Sequence, residues 1–270
     1  MSAQLGLRSA EGTAAAPLAV VTGASSGIGL ALAVELAQAG FDLMLVGRDG
    51  ERLAAAERKI AALGHAVTVR QVDLAAPAAL EGLAQELAAR VPDILVNNAG
   101  FGAYGRFAEI DPALSLSMIT TNVGALTRLT AAVLPGMRAR GSGRILNVAS
   151  TGAFAPLPFS AVYGATKAYV LSFSEAVAEE LKGSGVTVTA LCPGPTSTRF
   201  FARAGWDGTR LFKGPMTSAQ MVAERGLKAL MAGRRVEVVG LLNKVLILTA
   251  RLAPRRLVSE ATRFMLASRG

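Results

Sequence analysis

The segment Thr22-Gly-Ala-Ser-Ser-Gly-Ile-Gly29 most constrains how this chain can fold. A short apolar run, Leu18–Thr22, leads into it, and apolar residues recur at helical spacing from its last glycine to Gly40. Strand, glycine turn and helix is the reading. Glycine permits the tight turn and lets the first N–H groups of a helix approach an anion. The spacing is Gly-x3-Gly-x-Gly and not the commoner G-x-G-x-x-G. Placed at the first βα unit, it predicts nucleotide binding over a merely structural turn.

Alternation continues along the chain. Strands are predicted at Asp42–Val46, Ala66–Val72, Asp93–Asn97, Arg144–Ala149, Val186–Cys192 and Arg235–Val239. Helices are predicted over Asp49–Leu63, Pro77–Arg90, Asp111–Leu134, Ala161–Lys182 and Thr217–Met231, with Asp111 as N-cap and Pro112 at the first helical position. Strands separated by helices predict a Rossmann-like, doubly wound parallel sheet of about seven strands with helices on both faces, plus a C-terminal helical extension. The organisation expected is a disordered leader at 1–17, a dinucleotide-binding and catalytic domain at 18–240, and a basic helical extension of it at 241–270.

Composition narrows the function classes. The chain has 270 residues, one cysteine and one histidine. A single cysteine excludes an intrachain disulfide and suits a reducing cytoplasm. Cys192 reads as a small core residue, and the lone His65 argues against a His-ligated metal site or a Ser-His-Asp triad. No 18-residue apolar run is present, so no membrane-spanning helix is expected. Met1–Pro17 lacks the basic start and apolar block of a secretory signal. The net charge is +9, and Arg225–Gly270 holds ten basic residues against two acids, so the rest is almost neutral. Such a patch suits nucleic acid, an anionic membrane or an acidic partner. Without a recognition helix, zinc finger or stacking motif, no nucleic-acid partner is expected.

Tyr163 and Lys167 are four residues apart on a predicted helix, thirteen residues after Ser150. That spacing stacks both side chains on one face. A free phenol titrates near ~10, and a neighbouring ammonium is expected to lower it towards the range of efficient acid–base chemistry. Ser150 is placed to hold a carbonyl oxygen. Together they read as machinery for reducing a carbonyl or oxidising an alcohol.

In order along the chain, the glycine segment, Asp73, Asn97-Asn-Ala-Gly100, Asn122, Ser150, Tyr163-x3-Lys167 and Pro193-Gly194 resemble the short-chain dehydrogenase/reductase family in its single-domain form, over about Leu18–Val239. The resemblance implies that Gly23, Gly27 and Gly29 hold cofactor phosphates, with Ser25, Ser26 and Ile28 in the same loop. It puts Asp73 and Leu74 at the adenine, and Asn97, Asn98, Ala99 and Gly100 at the riboses. Asn122 is implied to anchor a proton-relay water towards Lys167, Ser150 to orient the substrate oxygen, and Tyr163 to be the proton donor. Lys167 is implied to bind the nicotinamide ribose, and Pro193, Gly194 and Thr198 to flank the nicotinamide. Homodimers or homotetramers joined through the helices at 111–134 and 161–182 are implied as well. No metal is expected.

After the second strand, an acidic residue would accept bonds from a ribose and repel a 2′-phosphate. Gly47-Arg48 stands there instead, and a guanidinium pairs with phosphate. Asp49 is expected to cap the next helix. NADP(H) is therefore the preferred cofactor, with NAD(H) second.

Phe154, Leu157, Phe159, Phe200, Phe201, Trp206, Leu211, Phe212 and Met216 cluster in the two loops that would cover the site, which suits an apolar ketone or aldehyde with an acyl, sterol-like or aryl body. Arg199, Arg203 and Arg210 either meet an anionic handle or are solvated. Leu241–Ala253 is apolar, Pro254 interrupts it, and Arg255–Arg269 carries Leu257, Ala261, Phe264 and Met265 at helical spacing. This extension reads as an interfacial membrane helix, or as a helix pair packed over the substrate mouth or a neighbouring subunit. Packing is the expectation. The rival to an NADP(H)-dependent oxidoreductase is a non-catalytic NADP-binding sensor or scaffold that works through the basic tail.

Overall fold

A computed structural model describes residues 16–206, 208–211 and 216–267. Expectations for the leader up to residue 15, for the side chains of Phe201 and Arg203, and for Phe212 and Arg269 lie outside the described residues.

The first unit is β1 (Leu18–Thr22) and α1 (Gly27–Gln38), joined by the glycine turn. Gly23 and Gly27 adopt φ of 66° and 58°, left-handed backbone that side chains other than glycine's rarely tolerate. Next come β2 (Asp42–Gly47), α2 (Gly50–Ala61), β3 (Val67–Gln71), α3 (Pro77–Arg90) and β4 (Ile94–Asn97). The second half holds α4 (Pro112–Ile119), α5 (Leu126–Arg140), β5 (Gly143–Val148), α6 (Ala161–Glu180) and β6 (Val186–Cys192). After a short β7 (Thr196–Ser197), α7 (Arg199–Ala204) and β8 (Thr217–Ser218), the chain forms α8 (Ala219–Met231), β9 (Val236–Val238), α9 (Leu241–Leu252) and α10 (Arg255–Leu266).

The main sheet runs β3-β2-β1-β4-β5-β6-β9, and every pairing in it is parallel. Its strands are apolar on both sides because both faces are covered. Ala19, Val21, Leu43, Leu45, Ile94 and Val96 pack in one core with α1, α2 and α8. Their neighbours Val20, Met44, Val46 and Leu95 pack in the other with α3 and α5. The order reverses between β1 and β4, and the crevice beyond the strand ends at such a point is where ligands bind.

The helix predicted over Asp111–Leu134 is divided. Its start is as expected: Asp111 accepts a bond from Ala113 N at 2.9 Å and Pro112 opens α4. A wider π-turn, Thr120–Ala125, then separates α4 from α5 and swings Asn122 inward. Beyond Leu134 the helix also continues through Pro135 to Arg140. Ala131, whose carbonyl loses its partner to the proline, and Pro135 are both exposed, so water can serve that carbonyl. Thr217 and Ser218 pair with β7 instead of opening a helix, and the Ser218 side chain caps α8 by accepting from Met221 N.

Candidate active site

The glycine turn, the ends of β4, β5 and β6, and the start of α6 surround one cavity of about 1270 Å³. Drug-sized ligand pockets reach roughly 1,000 Å³, so this one has room for a dinucleotide with a second molecule beside it.

At its glycine-rich end lie Gly23, Ser25, Ser26, Gly27 and Ile28. Ser26 is the N-cap of α1 but makes no side-chain capping bond, and the first turn has no acidic residue. The orphan N–H groups of that turn are left for an anion. A Cβ on Gly23 would stand 2.7 Å from Asn98 Nδ2, so the cradle is shaped for bare backbone. Gly29 does not line the cavity: a Cβ there would collide with the Gly23 carbonyl, and its role is to let α1 close against the turn.

Asn98 lines the cavity, yet its amide is committed to the turn, donating to Thr22 O at 2.8 Å and Gly23 O at 3.3 Å. Thr22 Oγ1 in turn accepts from Asn98 N and Ala99 N, both at 3.0 Å. Asn97 is buried away from the cavity, contrary to its expected ribose contact. It donates to Thr130 Oγ1 and Asn147 Oδ1, and Asn147 donates to Ser174 Oγ. This buried polar chain was not foreseen.

Arg48 is exposed at the cavity edge, whereas Asp49 accepts from Arg52 N at 3.1 Å and pairs with the Arg52 guanidinium at 3.0 Å, capping α2 as expected. Arg52 also lines this corner, a second cation that sequence reading passed over. Asp73 and Leu74 line the same end, with Asp73 Oδ1 accepting from Ala75 N at 3.0 Å. Across the cavity, Pro193, Gly194 and Thr198 form a wall, and Thr198 packs against Gly27.

Ser150, Tyr163 and Lys167 converge at the other end. Ser150 follows β5 and accepts from Gly152 N at 3.1 Å. Tyr163, in the first turn of α6, is buried with its ring 5.5 Å from Phe200 and 5.3 Å from Trp206. Burial pushes its phenol up to about 12, while a hydrogen bond with Ser150 works in the opposite direction. The expected lowering of the phenol by Lys167 is therefore corrected: desolvation wins. Lys167 Nζ sits 5.8 Å from the Tyr163 ring centroid and donates to Val148 O at 2.7 Å, and burial pushes its ammonium down to about 8. Cys192 is buried, and desolvation pushes its thiol up to about 12, in keeping with a core role.

Asn122 does not reach the cavity. Its Oδ1 accepts from Phe101 N at 3.0 Å, and its Nδ2 donates to Phe101 O at 2.9 Å and Thr166 Oγ1 at 3.1 Å. Thr166 Oγ1 donates back to Tyr163 O at 2.8 Å, so Asn122 ties the strand-end loop to the helix carrying Tyr163 and Lys167.

The apolar wall includes Phe154, Leu157, Phe200, Trp206 and Leu211. Phe159 and Met216 stand outside it; Phe159 packs on Tyr104, with ring centroids 5.8 Å apart. Arg210 lies over the Phe264 ring at 4.0 Å and donates to Phe264 O, while Arg199 is exposed on the cavity edge. The remaining wall comes from α9 and α10, and from α4, whose part in it the apolar pattern did not announce. Of the two packed placements open to the C-terminal helices, the described residues show the one over the mouth. Tyr104 Oη donates to Leu266 O at 2.6 Å, Thr262 Oγ1 donates to Pro156 O at 2.9 Å, and Arg251 lies 5.4 Å from the Phe154 ring centroid.

This sheet, with a glycine cradle at its switch point and a Ser-Tyr-Lys cluster beside it, defines a dinucleotide-dependent oxidoreductase class. Residues 17–207 match the short chain dehydrogenase family, and the chain belongs to that family. It is 42% identical over 191 residues, covering 69% of this chain and 70% of the other, to the protein assigned as ketoacyl reductase 1 of the granaticin polyketide synthase of Streptomyces violaceoruber. Among solved structures, it is similar to a short-chain dehydrogenase from Sphingobium yanoikuyae in complex with NADPH, at 35% identity and a TM-score of 0.80, covering 87% of this chain and 93% of that one. It also resembles the bulky-bulky ketone specific alcohol dehydrogenase from Comamonas testosteroni, at 29% identity and a TM-score of 0.75, covering 87% and 92%.

Proposed function

We propose that this protein is an NADP(H)-dependent reductase of apolar ketones or aldehydes, with Tyr163 as the proton donor. The observation that carries this reading is the convergence of Ser150, Tyr163 and Lys167 in the cavity whose opposite end is the glycine cradle. The residues present suit the cofactor: the uncapped first turn of α1 for the pyrophosphate, Arg48 for a 2′-phosphate, Asp73 at the adenine, and Ala99, Gly100, Pro193, Gly194 and Thr198 along the ribose and nicotinamide. When bound, the nicotinamide supplies the hydride for the carbonyl carbon.

The chain's own residues handle the oxygen and its proton. Ser150 Oγ holds the carbonyl oxygen beside the Tyr163 hydroxyl, and the two hydroxyls already interact. A phenol near 12 is a weak acid at neutrality, but an alkoxide is a stronger base than a phenolate, so proton transfer to the developing alkoxide runs downhill. The reverse reaction needs the phenolate, which burial disfavours. Lys167, still largely protonated at neutral pH, adds positive charge near the reacting oxygen and binds the ribose. Asn122 acts as a positioning residue through Phe101 and Thr166.

The wall of Phe154, Leu157, Phe200 and Trp206 suits an acyl, sterol-like or aryl body, and likeness to a ketoacyl reductase and a bulky-ketone dehydrogenase supports that class. Arg199 is placed for an anionic handle at the edge. Subunits pair through the outer sides of α4 and α6, where Leu116, Ile119 and Tyr169 are exposed. The decisive test is Tyr163→Phe. Turnover of NADPH with an apolar ketone should fall by about 10²–10⁴ while NADPH affinity stays within about two-fold. Turnover at the wild-type rate in that variant removes Tyr163 from the mechanism.

A further inference from the structure

We propose that the outer face of α9, with the arginines that follow it, docks this protein on an anionic lipid surface and presents the mouth of the catalytic cavity to the acyl layer. Its substrate-delivery half rests on the apolar-ketone reading above; its docking half does not.

Helix α9 is apolar on both sides. Its inner face, including Leu246, Ile247 and Ala250, lines the cavity. Its outer face carries Leu241, Val245, Leu248 and Leu252, a stripe at spacings of four, three and four, with Leu242 beside it. Leu241 is 79% exposed, Leu248 60% and Leu252 80%, and none of the five lines the cavity. A helix packed on a protein normally turns a polar face to water, and a contiguous exposed apolar stripe marks an interaction surface. The stripe runs about 18 Å along the helix.

Charge selects the occupant. Between Leu241 and Ser259 there is no acidic residue, while Lys244, Arg251, Arg255 and Arg256 fall in the same stretch; Lys244 lies 3.8 Å from Glu237, and Glu260 precedes Arg263. Arg255 and Arg256 are exposed and make no ion pair among the described residues. A second copy of this chain would bring the same cations face to face. Lipid phosphates complement them instead, as for interfacial helices with a basic polar border. Neither α9 nor α10 exceeds twelve residues, and no helix among the described residues is long and apolar enough to cross a membrane. The contact is with the surface.

The mouth lies on this same side. Leu246, Leu257 and Met265 each line the cavity and are also exposed, so they form an apolar rim beside the outer stripe. An apolar carbonyl compound dissolved in the bilayer can pass over that rim towards Tyr163 without crossing open water.

The test is co-sedimentation of the full chain with vesicles of phosphatidylcholine alone, or with one third phosphatidylglycerol, at low and high salt. Binding should be about ten-fold or more stronger to the anionic vesicles and should weaken with salt. The variant Leu241→Gln/Val245→Gln/Leu248→Gln/Leu252→Gln should lose it, and Arg255→Gln/Arg256→Gln should weaken it about ten-fold. Both variants should keep the wild-type melting temperature and turnover of a small water-soluble ketone. Tyr163→Phe should bind vesicles as well as wild type, which separates failure of docking from failure of the reductase reading. Equal binding to neutral and anionic vesicles, or none to either, overturns the proposal. So does a wild-type mass in solution that falls in the four-residue variant without vesicle binding, since the stripe would then join two copies.

Discussion

Gly194, in the loop after β6, and Asn243, in the first turn of α9, pack so closely that a Cβ on the glycine would overlap the Asn243 amide nitrogen. That nitrogen donates to Val239 O at 2.7 Å, so Asn243 joins the end of the sheet to the start of the C-terminal helices. The wall of the cavity at Gly194 is therefore backed by the extension and not by solvent.

Gly194→Ala should displace Asn243, weaken the Val239 bond and push the loop into the cavity. The expected outcome is a stability loss of about 1–3 kcal/mol and NADPH binding weaker by about ten-fold. Asn243→Ala removes the obstructing amide, so the double variant should bind NADPH more tightly than Gly194→Ala alone. Fluorescence titration and thermal melts check this. Affinity no better in the double variant would mean the loop is shaped from elsewhere.

Arg48→Asp places a carboxylate where a 2′-phosphate is expected. Asp49 does not already serve this purpose because its side chain caps α2 and pairs with Arg52. The ratio of kcat/KM for NADPH over NADH should fall by about ten-fold or more. An unchanged ratio with Arg48→Asp, but a lower one with Arg52→Ala, would place the phosphate on Arg52.

The sheet was legible because alternation is written locally: each strand is a short apolar run and each turn has its glycine or cap. Ser150, Tyr163 and Lys167 were legible because their order and spacing are local too. What escaped depends on contacts across the chain. The bond pair from Asn122 to Phe101 spans 21 positions, and no helical period announces the π-turn that accommodates it. The Asn97–Asn147–Ser174 chain is assembled from three elements, so Asn97 looked like a cavity residue when only its neighbours were visible. The tyrosine acidity was misjudged for the same reason. Spacing puts Lys167 beside Tyr163, but how deeply both are buried depends on residues distant in sequence, such as Phe200 and Trp206 against the Tyr163 ring, and burial decides the sign.

Asn122→Ala should show how much that buried link contributes. The substitution leaves Phe101 N–H and C=O and the Thr166 hydroxyl without their partner. Loss of about 2–4 kcal/mol in denaturant unfolding is expected, with kcat reduced more than NADPH affinity because α6 carries Tyr163 and Lys167. A melting temperature equal to that of wild type would show that water or another group replaces the amide.

Lys167 makes a prediction about stability and pH whose sign follows from its burial. Its ammonium is pushed down from 10.5 to about 8 in the folded protein. Between those values the unfolded chain binds the proton and the native state does not, so this residue makes stability rise as pH climbs from about 8 to 10.5. Tyr163 acts oppositely, but only above its unfolded value of 10.0. Cys192 acts in the same sense as Tyr163 above its unfolded value of 9.0, so the lysine is isolated by subtracting a variant that lacks it alone. The difference in unfolding free energy between wild type and Lys167→Met should shift in favour of wild type by about 2 kcal/mol from pH ~7.5 to ~9.5. Urea unfolding at the two values measures it. A difference that stays flat would place the ammonium in water and remove the desolvated charge from the site.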